Sequence, residues 1–242
     1  MTLKLRSAAV SDRGLVRSGN EDAVHAGEWL VAVADGMGGM AAGDLASALA
    51  IGALAALDGP LPDDRLAESL RQAVETASAR IRAAVAEDPT RQGMGTTLTA
   101  LLLSATGTAV ALVHVGDSRA YRLRGGMLEQ MTKDDTFVQM LVDEGVITEE
   151  QAMTHPRRAV ITRALQGDPV TVAYAATTPE VGDRWLLCSD GLSSVVPISA
   201  ISEVLGSQPD PLVCAQRLVD LALAEGGPDN VTVAIADVVE VP

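Results

Sequence analysis

Aromatic residues are scarce in this 242-residue chain: Phe, Trp and Tyr together make up 2 %. Any core must therefore be built from Ala, Val, Leu and Ile. With 48 % hydrophobic residues there is enough material for one, which excludes a disordered chain. Basic residues are also few. Eighteen Lys and Arg stand against 32 Asp and Glu, a formal net charge of −14. Nucleic acid and anionic membrane would be repelled, so neither is expected as a partner, while many carboxylates remain for cations. The two cysteines, Cys188 and Cys214, are too far apart for a zinc motif and outline no secreted disulfide framework. They read as plain thiols of a reducing cytoplasm. The opening MTLKLRSAAVSDRG lacks the apolar stretch of a signal peptide. Residues 98–115, LTALLLSATGTAVALVHV, carry no charged side chain and approach the length of a spanning helix. The turn-like Ser104-Ala105-Thr106-Gly107-Thr108 divides them, so they read as two core strands and no membrane span is expected.

The remaining pattern predicts strands over 5–12 and 29–35 and an Ala/Leu-rich helix over 41–57. A longer helix over 62–87 is marked by Leu66, Leu70, Val74, Ala77, Ile81 and Val85 at helical spacing. Strands at 96–104 and 108–116 are followed by a hairpin around Gly125-Gly126. A polar stretch, 134–168, holds helices at 136–144 and 148–153. Strands at 171–176 and 184–189, a helix after Pro197, a helix over 211–224 capped by Asp210, and a strand over 231–238 complete the order. Strand and helix do not alternate regularly, so a doubly wound parallel sheet is not expected. An antiparallel α+β architecture of layered sheets and helices is.

Four carboxylates sit where apolar strands stop: Asp35 in VAVAD, Asp117 in LVHVGD, Asp190 in WLLCSD and Asp229 in GGPDN. Glu21 and Asp22 form an acidic pair nearer the start. Asp-Gly and Asp-Asn are common turn formers, and each site alone could be only that. Strand ends of one sheet system can converge, however, and gathered carboxylates repel unless a divalent cation neutralises them. The placement suggests an acidic cation site but does not specify a reaction.

SDRGLVRSGNEDAV, VADGMGG, GMGTTLTAL, VHVGDSRAY, HPRRAVITRAL, CSDGLS and GGPDNVTV occur in that order. Together they resemble the metal-dependent protein phosphatase family, protein phosphatase 2C (PPM), in its bacterial form, over residues 7 to 238. The resemblance implies one catalytic domain over 1–242 with a four-layer α-β-β-α sandwich, and a flap at about 134–168. It implies hydrolysis of phosphoserine and phosphothreonine in proteins, with two Mn²⁺ or Mg²⁺ ions and a third, weaker one. A bridging water would be the attacking group. Asp35 and the carbonyl of Gly36 would bridge the two metals, Asp190 and Asp229 would hold the first, and Glu21 would serve the second. Asp117, with Asp190, would hold the third. Asp22 would orient water, and Arg17 would grip the substrate phosphate. Partners would be phosphorylated proteins, including a Ser/Thr kinase or its substrates, met by a cytoplasmic monomer.

No protein nucleophile is needed in this scheme. A cysteine-dependent phosphatase would carry arginine six residues after its cysteine, where this chain has Ser194 and Asp220. Relatives often have histidine where Met37 or Met40 stands, so proton donation to the leaving group falls to water ordered by Asp22. Asp135 also stands where the family often has histidine, a departure expected to alter flap contacts. His114 reads as a satisfied core residue and His155 as a structural flap residue. His25 carries no signal. The alternative is a module that binds phosphoprotein without hydrolysing it, although such members usually lose the metal-binding aspartates that this chain keeps.

Overall fold

The computed structural model describes residues 2–38 and 42–241. Two antiparallel sheets lie face to face. The first runs in the order β1 (Thr2–Asp12), β11 (Val231–Val241), β10 (Arg184–Cys188), β7 (Arg119–Arg124) and β8 (Met127–Gln130). The second runs β2 (Asp22–Ala26), β3 (Leu30–Met37), β5 (Leu98–Leu103), β6 (Val110–Val115) and β9 (Ala173–Thr177), with the short β4 (Gly95–Thr96) paired to the end of β3.

Three apolar layers hold this stack together. Between the sheets lie Leu5, Trp29, Val31, Val33, Leu101, Trp185, Leu187 and Ala234. Both tryptophans are therefore spent on the one layer that two flat faces must fill. Helices α1 (Gly43–Leu54) and α2 (Leu66–Glu87) cover the outer face of the second sheet, on Leu30, Ala32, Ala34, Ala100 and Leu102. Helices α5 (Asp190–Ser193), α6 (Ile198–Ser207) and α7 (Pro211–Ala224) cover the first, on Leu186, Cys188, Val233 and Ile235. Alternate residues of β3 and β10 thus serve different cores. Because both faces are covered, these antiparallel strands read as unbroken apolar runs rather than as in–out alternation. The four-layer α-β-β-α sandwich expected from the resemblance is the observed fold.

Several expected boundaries differ. The strand from Asp22 to Ala26 has no counterpart in the sequence reading; it is five residues long and half-exposed, so it lacks the apolar run that marks a strand. Helix α2 begins at Leu66, because Asp63–Arg65 forms a 3-10 turn first. The strand read as 96–104 is broken at Thr97, whose N–H and hydroxyl both bond to the backbone of Asp35. Asp210 caps α7 as expected, accepting from the N–H groups of Leu212 and Val213. Residues 134–168 carry α3 (Phe137–Asp143) and α4 (Glu149–Met153), the latter closed by a capping box between Thr148 and Gln151. Among the described residues, no helix is long and apolar enough to cross a membrane.

Candidate metal centre

Antiparallel register is what gathers the acidic positions. Asp22 opens β2 and lies directly opposite Asp35 near the end of β3. Cys188 ends β10 opposite Val233, so Ser189-Asp190 leaves the first sheet where Asp229-Asn230 enters β11. Cys188 also faces Arg119 at the start of β7, two residues after Asp117. Five acidic positions distant in sequence therefore meet at one end of the sandwich.

The two sheets are tied together there by polar contacts. Ser189 Oγ donates to Asp22 Oδ2 at 2.8 Å and accepts from the Thr232 N–H at 2.9 Å. Thr97 Oγ1 accepts from the Asp35 N–H at 2.9 Å and contacts Ser118 Oγ at 2.7 Å. Asn230 staples the loop that carries Arg17 and Glu21. Its Oδ1 accepts from the Glu21 N–H at 2.8 Å, and its Nδ2 donates to the carbonyls of Arg13 and Gly19 at 2.9 and 2.8 Å. The sequence reading named Asp229 in GGPDN and passed over Asn230. The signal was the amide itself, the one side chain that can hold passing backbone by both its N–H and its C=O.

Electrostatically the predicted carboxylates form one group. Burial pushes Asp35 well above the usual carboxylate range, with Asp22, Asp190, Asp117 and Asp229 adding to the rise. Burial likewise raises Asp22 to about 6, although hydrogen bonds from Thr232 and Ser189 oppose it. Asp190 is raised to about 6 by burial and by Asp229, with Arg17 pulling the other way. Asp117 is pushed up to about 8 by burial and by Asp190. Glu21 is raised by burial and by Asp44, an acidic residue at the start of α1 absent from the sequence reading. Like charges directly across a strand pair, as Asp22 and Asp35 are, are unfavourable.

These residues fit divalent cations with oxygen ligands. Asp22 Oδ1 is buried without a hydrogen-bond partner, and its neighbours are further carboxylates. A buried acceptor left unpaired among anions is matched by a cation or by water attached to one. Among the described residues, no three His, Cys, Asp or Glu side chains already converge into a closed ion cage. A cation that keeps several of its waters does not need one.

Gly36 and Gly43 make room for Glu21. A Cβ on Gly36 would stand 2.2 Å from the Gly43 carbonyl oxygen and 2.5 Å from that of Glu21, and one on Gly43 would meet Glu21 Oε2 at 2.1 Å. The Gly36 N–H donates to the Glu21 carbonyl at 3.1 Å. Because backbone atoms block the added carbon, Gly36→Ala should cost about 3 kcal/mol, the upper range for overpacking. Urea unfolding of the metal-free chain reads this; a midpoint equal to wild type would contradict the packing.

Arg17 lies within the cluster, paired with one of its acids. Its guanidinium donates to Asp229 Oδ2 at 2.6 Å, so the residue expected at the phosphate and the one expected at a metal pair with each other. Cys188 is fully buried and its thiol is pushed up to about 12 by burial, which leaves no thiolate for nucleophilic attack. His114 is buried between Thr99 Oγ1 and the Lys133 carbonyl, as read. His155 accepts from the Arg157 N–H, and His25 pairs with Asp58. Met37 ends β3, half-buried. Met40, the other position considered for proton donation, lies outside the described residues.

A family model described as protein phosphatase 2C matches residues 16–208. The serine/threonine protein phosphatase PstP of Mycobacterium tuberculosis is 55 % identical over 240 residues, covering 99 % of this chain and 46 % of its own length. The chain thus spans about half the length of that relative. The serine/threonine phosphatase stp of Listeria monocytogenes is 34 % identical, with 94 % of this chain and 93 % of that protein covered. A crystal structure of the catalytic domain of PstP in complex with two manganese ions superposes with a TM-score of 0.92 at 54 % identity, covering 99 % of this chain and all of that one.

Proposed function

The chain belongs to the protein phosphatase 2C family, and from that premise we propose that it is a metal-dependent serine/threonine protein phosphatase. The observation that carries this reading is the half-buried facing pair Asp22 and Asp35, with Asp117, Asp190 and Asp229 close enough to raise Asp35. Asp35, Asp190 and Asp229, with Glu21 and the Gly36 carbonyl, would hold two Mn²⁺ or Mg²⁺ ions. Asp117 and Asp190 would serve a third. Cations so held supply an activated water and neutralise charge on the phosphoryl oxygens.

The remaining work falls to the chain's own residues. Asp22 keeps Oδ2 on Ser189 and has Oδ1 free to orient water, and water so ordered would supply the proton to the leaving oxygen. Arg17 is exposed and exchanges Asp229 for two phosphate oxygens, a task suited to its planar fork. We read residues 134–168 as a flap beside this site and 1–242 as one catalytic domain. Its substrates would be cytoplasmic proteins phosphorylated by a Ser/Thr kinase, met by a monomer.

The direct test is hydrolysis of para-nitrophenyl phosphate with Mn²⁺ and then with chelator. Activity only with the metal is expected, and activity that survives full chelation would overturn the reading. Arg17→Ala should lower kcat/KM about 100-fold, the scale of one lost charge-assisted contact, with Arg17→Lys recovering part of it. Steady-state kinetics on both variants would read the difference.

A further inference from the structure

Residues 137–160 have little apolar packing of their own. Val138 is buried, and among the described residues no other side chain from 137 to 160 is. A segment without a core is oriented by whatever holds its two ends. Those ends meet in a short antiparallel neck. Thr136 bridges Ile161, the Phe137 N–H donates to the Val160 carbonyl at 2.8 Å, and the Thr162 N–H donates to the Asp135 carbonyl at 2.8 Å.

The neck is fastened to the strand ends that carry the site. Asp135 exchanges backbone and side-chain bonds with Gly116, the residue before Asp117. Its N–H donates to the Gly116 carbonyl at 2.7 Å, and its Oδ2 accepts from the Gly116 N–H at 3.1 Å. Its other oxygen, Oδ1, accepts from Arg163 Nη1 at 2.9 Å on the returning strand of the neck. On the exit side, Leu165 pairs with Thr96, whose hydroxyl donates to the Asp35 carbonyl at 2.9 Å. One carboxylate thus joins both strands of the neck to the strand end at Asp117. It is mostly shielded, at 14 % exposure, whereas Arg163 is 57 % exposed.

We propose that the Asp135–Arg163 pair is a latch that sets the orientation of the flap over the carboxylate cluster, and so selects for phosphorylated proteins over small phosphate esters. This rests on the phosphatase reading above. On that reading a phosphoprotein, extending beyond the cluster, would meet the flap whose neck is fastened beside Asp117, whereas a small aryl phosphate would need only the cluster itself. Asp135 and Arg163 are positioning residues; neither is placed at the phosphate or at a metal.

Arg163→Met removes the guanidinium and leaves the Gly116 contacts intact. Asp135→Asn keeps an acceptor for Gly116 and loses the charge. Both should speed hydrogen exchange of amides 138–159 about fivefold in the metal-free chain, an effect of the size a single partly shielded ion pair supplies. With Mn²⁺, KM for phosphocasein should rise about fivefold while kcat for para-nitrophenyl phosphate stays within about twofold, and Arg163→Lys should restore KM. Unchanged exchange in Arg163→Met would overturn the latch even if Asp135→Asn were affected, because Asp135 would then serve Gly116 alone. Equal losses on both substrates would overturn the selectivity. If wild type hydrolysed neither, the phosphatase reading would fall, and exchange would still decide the latch.

Discussion

Asp35→Asn is expected to lower kcat/KM for para-nitrophenyl phosphate about 1,000-fold, the scale of losing one major electrostatic stabiliser of the transition state, and to make the metal-free chain more stable. The two effects have one cause. Asp35 is held well above the ordinary carboxylate range by burial and by Asp22 directly across the strand pair, with Asp190, Asp117 and Asp229 behind it. At neutral pH the folding chain must either protonate that carboxyl or keep a charge among other charges. Each pKa unit it climbs costs about 1.4 kcal/mol. An amide of the same shape carries no such cost. Its N–H and C=O backbone bonds to Thr97 and Thr96 are unaffected, because the backbone makes them. Melting in chelator should therefore rank Asp35→Asn above wild type. Adding Mn²⁺ should reverse the order, because only wild type gains from binding. A variant that melted lower in chelator, or kept more than a tenth of wild-type activity, would contradict the account.

The second large effect is on pH. Asp22 and Asp190 at about 6 and Asp117 at about 8 all have folded-state pKa values above the usual carboxylate range. Between the unfolded and folded values the folded chain holds more protons than the unfolded one, so stability falls as pH rises. Their contribution is fully present below the unfolded value of about 4. It is lost through about pH 6 for Asp22 and Asp190, and through about pH 8 for Asp117. Metal-free protein should thus be more stable near pH 5 than near pH 8, by about 1.4 kcal/mol for each carboxylate whose folded value is about 6, because only the last unit of its shift lies in that window. Below pH 4 the trend should turn, because ion pairs such as Arg184–Asp237 need ionised carboxylates. With Mn²⁺ in excess the slope between pH 5 and 8 should vanish, and each site filled at 100 times its Kd adds about 2.7 kcal/mol. Urea titrations at four pH values, with and without metal, would measure this. A metal-free chain that gained stability from pH 5 to pH 8 would refute the buried cluster.

Much of this architecture is legible in the residues alone. WLVAVAD and WLLCSD announce buried strands that stop at acids, and the capped α7 is marked by Asp210 and Pro211. What local pattern cannot carry is partnership. DAVHA has no strand signature, yet its register puts Asp22 opposite Asp35. The pairing of Arg17 with Asp229 spans the whole chain, and either residue alone looks like an ordinary surface charge. Asn230 stands inside its motif without a signal of its own, because its value lies in three backbone groups that only the fold brings to it. At Asp135 the sequence marks a departure that should alter flap contacts but does not say which. Its partners, Gly116 and Arg163, are nineteen and 28 positions away.

Strand β11 lies between β1 and β10, and its eleven residues pair in register with β1 from Val231↔Asp12 to Val241↔Thr2. In the first sheet, β1 therefore has no strand partner until β11 has been made. Until then the strand that joins β1 to β10 is missing and Asp229 has no framework behind it. On the phosphatase reading, a product cut short before β11 should be catalytically silent rather than partly active.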